Sequence, residues 1–307
     1  MDSLDEKRKN AGSGEPSRRK FLAGVLATVV AGVASNAAEA SDLSPFYMNP
    51  RLEKMPDANM APGFDREKIV ADVEGEVKLL GSIFMLTDPH ARADFITQKV
   101  DPEFFDANGY PNFQKVEEKH SKDGDKTVML VAGAYQSSAG PWIGGYALEK
   151  GQAVGTDDMA QNNRGLLVIE NGAPEIHFLS DFPHPLDLQT FIEDSKAKRK
   201  DVYQCSSYIR PGGEFNSSNT SKYKLRFFVE LEGKKAVINL TESMTYTDAI
   251  KILKELGVSK AVSLDTGALS EGFFYDVEGK PFQMIDSNYA QKGGYTNLLV
   301  LYSSWSG

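Results

Sequence analysis

The chain has 307 residues, a formal charge of −9 and one cysteine, Cys205. An acidic chain whose only basic run lies near its start is unsuited to nucleic acid, so no nucleic acid partner is expected. A single cysteine excludes an intramolecular disulfide and a thiolate-rich metal site, and no metal is expected.

Residues 1–20 are polar and end in Ser17-Arg18-Arg19-Lys20. Residues 21–38 carry no charge, and Ala38-Glu39-Ala40 has the small-x-small pattern of a signal peptidase site. This stretch resembles a twin-arginine export signal read through Arg18 and Arg19. It implies the twin-arginine export machinery as a partner and a periplasmic or secreted product. An uncleaved anchor is the competing reading, which so weakly hydrophobic a segment serves poorly. Export of folded chains suits a lone cysteine, since folding then occurs in a reducing cytoplasm. Beyond residue 40, 28 basic and 38 acidic side chains leave −10 on 267 residues, enough for a sizeable core.

Residues 41–64 lack periodicity and read as an extended leader; 65–307 read as one domain. Residues 69–85 alternate weakly and predict one or two strands. A strand over 91–100 runs into a turn at Asp101-Pro102. The charged run 115–126, with Asp123-Gly124, reads as a solvated hairpin or loop. His120 has no partner at ligand spacing, so a metal role is rejected. Residues 127–132 form a buried strand ending in Gly133-Ala134-Tyr135, small residues that allow close approach.

A hairpin follows Gly144-Gly145 and turns at Lys150-Gly151. Residues 166–179 are the strongest hairpin signal, because Asn171-Gly172 fits a primed turn. Residues 186–200 predict a helix with a basic end. Residues 201–209 predict one strand containing Gln204 and Cys205, followed by a polar loop over 211–221. A second hairpin turns at Glu232-Gly233. Arg226 lies among its apolar residues and needs an anionic partner there, either a carboxylate or a ligand phosphate.

Residues 235–276 organise the rest. An apolar strand over 236–240 leads to Thr245, an N-cap with Asp248 three residues on. Ala249, Ile250, Leu253 and Leu256 share one helical face, and Gly257 can take the left-handed cap. A second apolar run, 261–264, ends in Asp265-Thr266-Gly267. A carboxylate just beyond a strand end is well placed for chemistry. It also serves commonly as a plain turn former. The last strand is predicted over 297–302.

Together these elements predict an α+β single domain with a mixed, largely antiparallel sheet and flanking helices. The motifs resemble those of the phosphodiester glycosidase family, the N-acetylglucosamine-1-phosphodiester alpha-N-acetylglucosaminidase-like proteins. The resemblance rests on Ala132-Gly133-Ala134-Tyr135, Gly140-Pro141, Asn162-Asn163-Arg164-Gly165, Gln204-Cys205, Arg226 and Leu264-Asp265-Thr266-Gly267-Ala268-Leu269-Ser270. Ala132 replaces the family's Asn, Thr266 its first Gly, and Ser206-Ser207 its Gly-Pro; Leu269 displaces the usual Ser by one position.

The resemblance implies Asp265 and Arg226 as catalytic residues, with Gln204, Gly133, Tyr135, Gly267 and Ser270 binding substrate. Asp265 would supply the carboxylate, and Arg226 a bidentate fork for phosphate oxygens. Asp276 and Glu271 are the candidates for a second carboxylate. The implied partner is a sugar phosphate or envelope glycan such as an exopolysaccharide, and no cofactor is named. Two functions stand: a hydrolase of phosphate-linked sugars, or a non-catalytic glycan-binding or assembly protein.

Overall fold

The computed structural model describes residues 47–55, 60–87, 90–107, 111–122, 124–134, 143–156, 164–211, 213–214, 220–264, 272–276, 278, 280–284 and 297–304. In chain order it begins with β1 (Met48–Lys54), β2 (Phe64–Val73), β3 (Glu76–Leu86) and β4 (Ala91–Thr97). A short 3-10 turn, Pro102–Phe104, leads to helix α1 (Phe113–Lys122) and β5 (Lys126–Val131). Next come β6 (Ala147–Glu149), β7 (Gln152–Ala153), β8 (Gly165–Glu170), β9 (Ala173–Phe178) and α2 (Pro185–Ala197). Then follow β10 (Asp201–Cys205), β11 (Ser207–Arg210), β12 (Gly213–Glu214), β13 (Tyr223–Leu231) and β14 (Lys234–Met244). The chain closes with α3 (Tyr246–Glu255), β15 (Val258–Ser263), β16 (Gly272–Tyr275), β17 (Pro281–Met284) and β18 (Asn297–Ser303).

The expected mixed sheet is instead three sheets, and every strand pair among the described residues is antiparallel. The large sheet has the order β1-β2-β3-β14-β13-β15-β11-β12. The others run β7-β6-β10-β8-β9 and β17-β16-β5-β18-β4. The helical crossover from β14 to β15 does join parallel strands. However, β13 lies between them and pairs antiparallel with both. The crossover signal was sound, and the hairpin partner in the gap makes the sheet antiparallel.

One core joins all three sheets. Phe84, Phe228 and Val262 of the large sheet pack with Tyr203 and Phe178 of the second and Phe95 and Phe274 of the third. Phe84 stacks on Phe274 with ring centroids 4.2 Å apart, and Phe95 stacks on Tyr203. The outer face of the large sheet is closed by α3, whose Ala249, Ile250, Ile252 and Leu253 are buried. Thr245 caps this helix by accepting from the Asp248 amide, and Gly257 ends it in the left-handed region at φ 87°.

Three further expectations change. Residues 113–122 form α1 rather than a solvated loop. Val116 and His120 are its only buried residues, too sparse an apolar stripe to outweigh the charges around them. His120 stacks on Tyr302 instead of standing in a loop. The strand predicted over 201–209 breaks at Ser206, so β10 and β11 belong to different sheets. Within the leader, residues 48–54 form the edge strand β1, paired with β2.

Candidate functional site

Arg226 is 1% exposed, the largest fully buried side chain among the described residues. It sits on β13 opposite Asn239 of β14, and its carbonyl accepts from the Leu264 amide at 3.0 Å. The residue preceding Asp265 is thus bonded to Arg226 itself. Burying a guanidinium so completely is costly unless charge-assisted partners meet it. Gly272 on β16 leaves space beside it: a Cβ there would lie 3.5 Å from Arg226 Nη2 and 2.7 Å from Val131 Cγ1.

Gly133 follows β5, whose last residue, Val131, pairs with Gly272. Its missing Cβ makes room for two neighbours, Asn297 Oδ1 at 3.1 Å and Phe95 Cε2 at 3.2 Å from where a Cβ would stand. Asn297, 3% exposed, grips the next residue from both sides. Its Oδ1 accepts from the Ala134 amide at 2.8 Å, and its Nδ2 donates to the Ala134 carbonyl at 3.1 Å. Asn297 fixes the direction in which the chain leaves β5. Sequence reasoning saw it only as the start of a strand; a polar residue opening an apolar run was the available signal.

Gln204 is fully buried on β10, and its Oε1 accepts from the Tyr146 amide at 3.2 Å. Gly145 takes φ 113°, and a Cβ there would stand 2.9 Å from that same oxygen. Two residues beyond Gln204, the Ser206 carbonyl accepts from the Ser263 amide at 3.0 Å, which ties this strand end to β15. Ser206 thus links the end of β10 to β15, Leu264 links β15 to the Arg226 backbone, and Gly272 sets Arg226 beside β5, while the Gln204 side chain itself faces Gly145 and Tyr146. Asp265, Tyr135, Gly267, Ser270 and Glu271, and the signal residues Arg18 and Arg19, lie outside the described residues. Asp276 caps a turn, accepting from the amides of Glu278 and Lys280. Burial pushes the Cys205 thiol well up, which disfavours the thiolate a nucleophile needs.

A second polar cluster, unforeseen from sequence, lies at the opposite end of β10. Glu149 is fully buried; its Oε2 accepts from the Thr97 amide at 2.9 Å and from the Thr97 hydroxyl. Burial, followed by the neighbouring Asp101, raises the Glu149 pKa to about 9. Burial opposes ionisation of Asp101, yet hydrogen bonds to Glu149 and Lys150 hold its carboxyl below the usual range. Asp201 accepts from the Lys150 amide at 2.6 Å, and burial raises its pKa to about 7. A cavity of about 380 Å³, lined by Glu117, Asp125, Thr127 and Tyr275 among others, opens beside the start of β5, away from Gly133.

No family model and no curated protein sequence matches this chain. Its fold is similar to that of the zebrafish N-acetylglucosamine-1-phosphodiester alpha-N-acetylglucosaminidase catalytic domain, auto-inhibited by its pro-peptide. The TM-score is 0.51 at 12% identity, over 82% of this chain and 87% of that one. A hypothetical protein from Synechocystis aligns with a TM-score of 0.47 at 9% identity, over 85% of this chain and 69% of that one. The likeness to the zebrafish domain is one of fold: a phosphodiester glycosidase-like arrangement of antiparallel sheets.

Proposed function

We propose that this protein is an exported hydrolase acting on a phosphate-linked sugar or related envelope glycoside. The observation that carries the reading is the bond from the Leu264 amide to the Arg226 carbonyl, which ties the residue before Asp265 to the strand that carries a buried arginine. A carboxylate and a guanidinium acting together would suit general acid–base work next to a phosphate. The fold likeness to an N-acetylglucosamine-1-phosphodiester alpha-N-acetylglucosaminidase supports the same class. Twin-arginine export to the periplasm or medium belongs to this proposal and rests on Arg18 and Arg19.

A second reading, a non-catalytic glycan-binding or envelope assembly protein, is favoured by Ala132 and Thr266 at positions where the family has Asn and Gly. One assay separates them. The full chain is incubated with an N-acetylglucosamine 1-phosphodiester and with phosphorylated envelope glycan, and both sugar release and binding are followed. Release identifies the hydrolase; binding without release identifies the second function; neither outcome sinks both.

A further inference from the structure

Arg226 does not stand alone on its sheet face. The register places Lys68, Ser82, Asn239 and Arg226 directly opposite one another on β2, β3, β14 and β13. Directly opposed residues in a sheet project from the same face. Two residues along, the matching row is Arg66, Phe84, Val237 and Phe228, and its last three members belong to the core between the sheets. The polar row therefore faces the same interior. With adjacent strands about 4.8 Å apart, it extends about 14 Å and reaches the end of β15 at Leu264.

This row is unusual for a core. Ser82 is 4% exposed and Asn239 is 3% exposed. The Ser82 hydroxyl and the Asn239 side-chain amide nitrogen are buried and make no hydrogen bond among the described residues. Folded proteins leave few such groups unmet, because a buried donor without a partner is costly. Here the groups lie in line with the buried guanidinium of Arg226 and with Lys68, which is half-buried. Arg66 adds a third cation, with its guanidinium 5.2 Å above the Phe84 ring. Every member of the row can donate, and two of its four residues are positively charged, Arg66 standing in the neighbouring row.

We propose that the row Lys68–Ser82–Asn239–Arg226 is an oxyanion subsite that receives a phosphate or phosphodiester group. Ser82 and Asn239 donate to its oxygens, and Arg226 supplies the charge-assisted pair. The proposal rests on the function above only in making that phosphate part of the substrate.

The test uses the full chain, with inorganic phosphate, glucose 1-phosphate and unphosphorylated glucose as probes in calorimetric titrations. The wild type should bind the first two and not glucose. Asn239→Leu and Ser82→Ala should each weaken phosphate binding about tenfold or more, while the melting temperature of the free protein holds or rises. Ser82→Ala removes a single oxygen and keeps the test informative if Asn239→Leu does not fold. Absence of phosphate binding at millimolar concentration, equal binding of glucose, or unchanged affinity in the variants overturns the subsite. Phosphate binding without sugar release leaves the subsite standing and removes only the hydrolase; release with unchanged variants does the reverse.

Discussion

The Leu264 amide donates to the Arg226 carbonyl at 3.0 Å, so the strand that delivers Asp265 and the strand that carries the buried guanidinium are locked together at their ends. Two duties are proposed for the Asp265 carboxylate, a structural ion pair or catalysis, and one substitution separates them. Asp265→Asn in a purely structural ion pair strands a buried charge and should cost about 3–5 kcal/mol. In a hydrolase it should leave the melting temperature nearly unchanged and abolish sugar release. We expect the second result, read from thermal melts and turnover on the same preparation.

Asn297 should control the chain at Ala134. Asn297→Leu removes both hydrogen bonds to the Ala134 backbone and leaves its amide and carbonyl buried without those partners. A loss of about 1–3 kcal/mol is expected. The sharper measurement is local: the Ala134 amide should lose protection from hydrogen exchange far more than amides in α3. Uniform loss across the domain would show that Asn297 serves general packing only.

Local structure was legible in this sequence at its turns and at the caps of α3, though not in α1. Asn171-Gly172 adopts the paired left-handed conformation that both its residue types favour, Glu232-Gly233 adopts it with only the glycine suited to it, and both hairpins form. Thr245 and Gly257 bound α3 for the same reason. What could not be read is which sheet each strand joins. Alternation encodes a buried face, not a partner, so the change of sheet at Ser206 leaves no periodic trace. The same limit applies to the site. Arg226 stood out as a charge in an apolar strand. Ser82 and Asn239 are ordinary residues until the register aligns them with it. Glu149 drew no reading from the sequence, and its burial against Thr97 appears only in the packed structure.

The helix that opens the way to β15 offers a direct test of the core. Leu253 is fully buried under the large sheet's outer face. Leu253→Ala should destabilise the protein by about 2–5 kcal/mol, with the upper part of the range expected if the cavity does not collapse. Denaturant titration measures it; a change below 1 kcal/mol, roughly a surface effect, would contradict the packing.

Export is tested independently of the fold. The paired guanidinium groups of Arg18 and Arg19 are what a twin-arginine receptor would read. Replacing both with lysine should stop accumulation of the protein outside the cytoplasm while its cytoplasmic level holds. Unchanged accumulation would defeat the export reading without touching the site.

The last prediction concerns pH. Glu149, buried beside Asp101, has its pKa raised to about 9, and Asp201 to about 7, while an unfolded chain titrates its carboxyls near 4. The folded protein thus holds protons that the unfolded chain has released. Stability must fall as pH rises from the unfolded carboxylate range through 7 and on towards about 9. Each group can contribute a slope of up to about 1.4 kcal/mol per pH unit inside its own window. Asp101 has the opposite sign, since its lowered pKa favours folding above the carboxylate range and loses that benefit in acid. Glu149→Gln mimics the protonated acid. It still accepts from Thr97 and can donate to Asp101, yet it cannot ionise. Its melting temperature should match the wild type near pH 5 and exceed it increasingly towards pH 9, while Asp201→Asn should flatten the curve mainly around pH 7. Melting curves of the three proteins that stay parallel across this range would mean that the buried carboxyls do not hold their protons in the folded state.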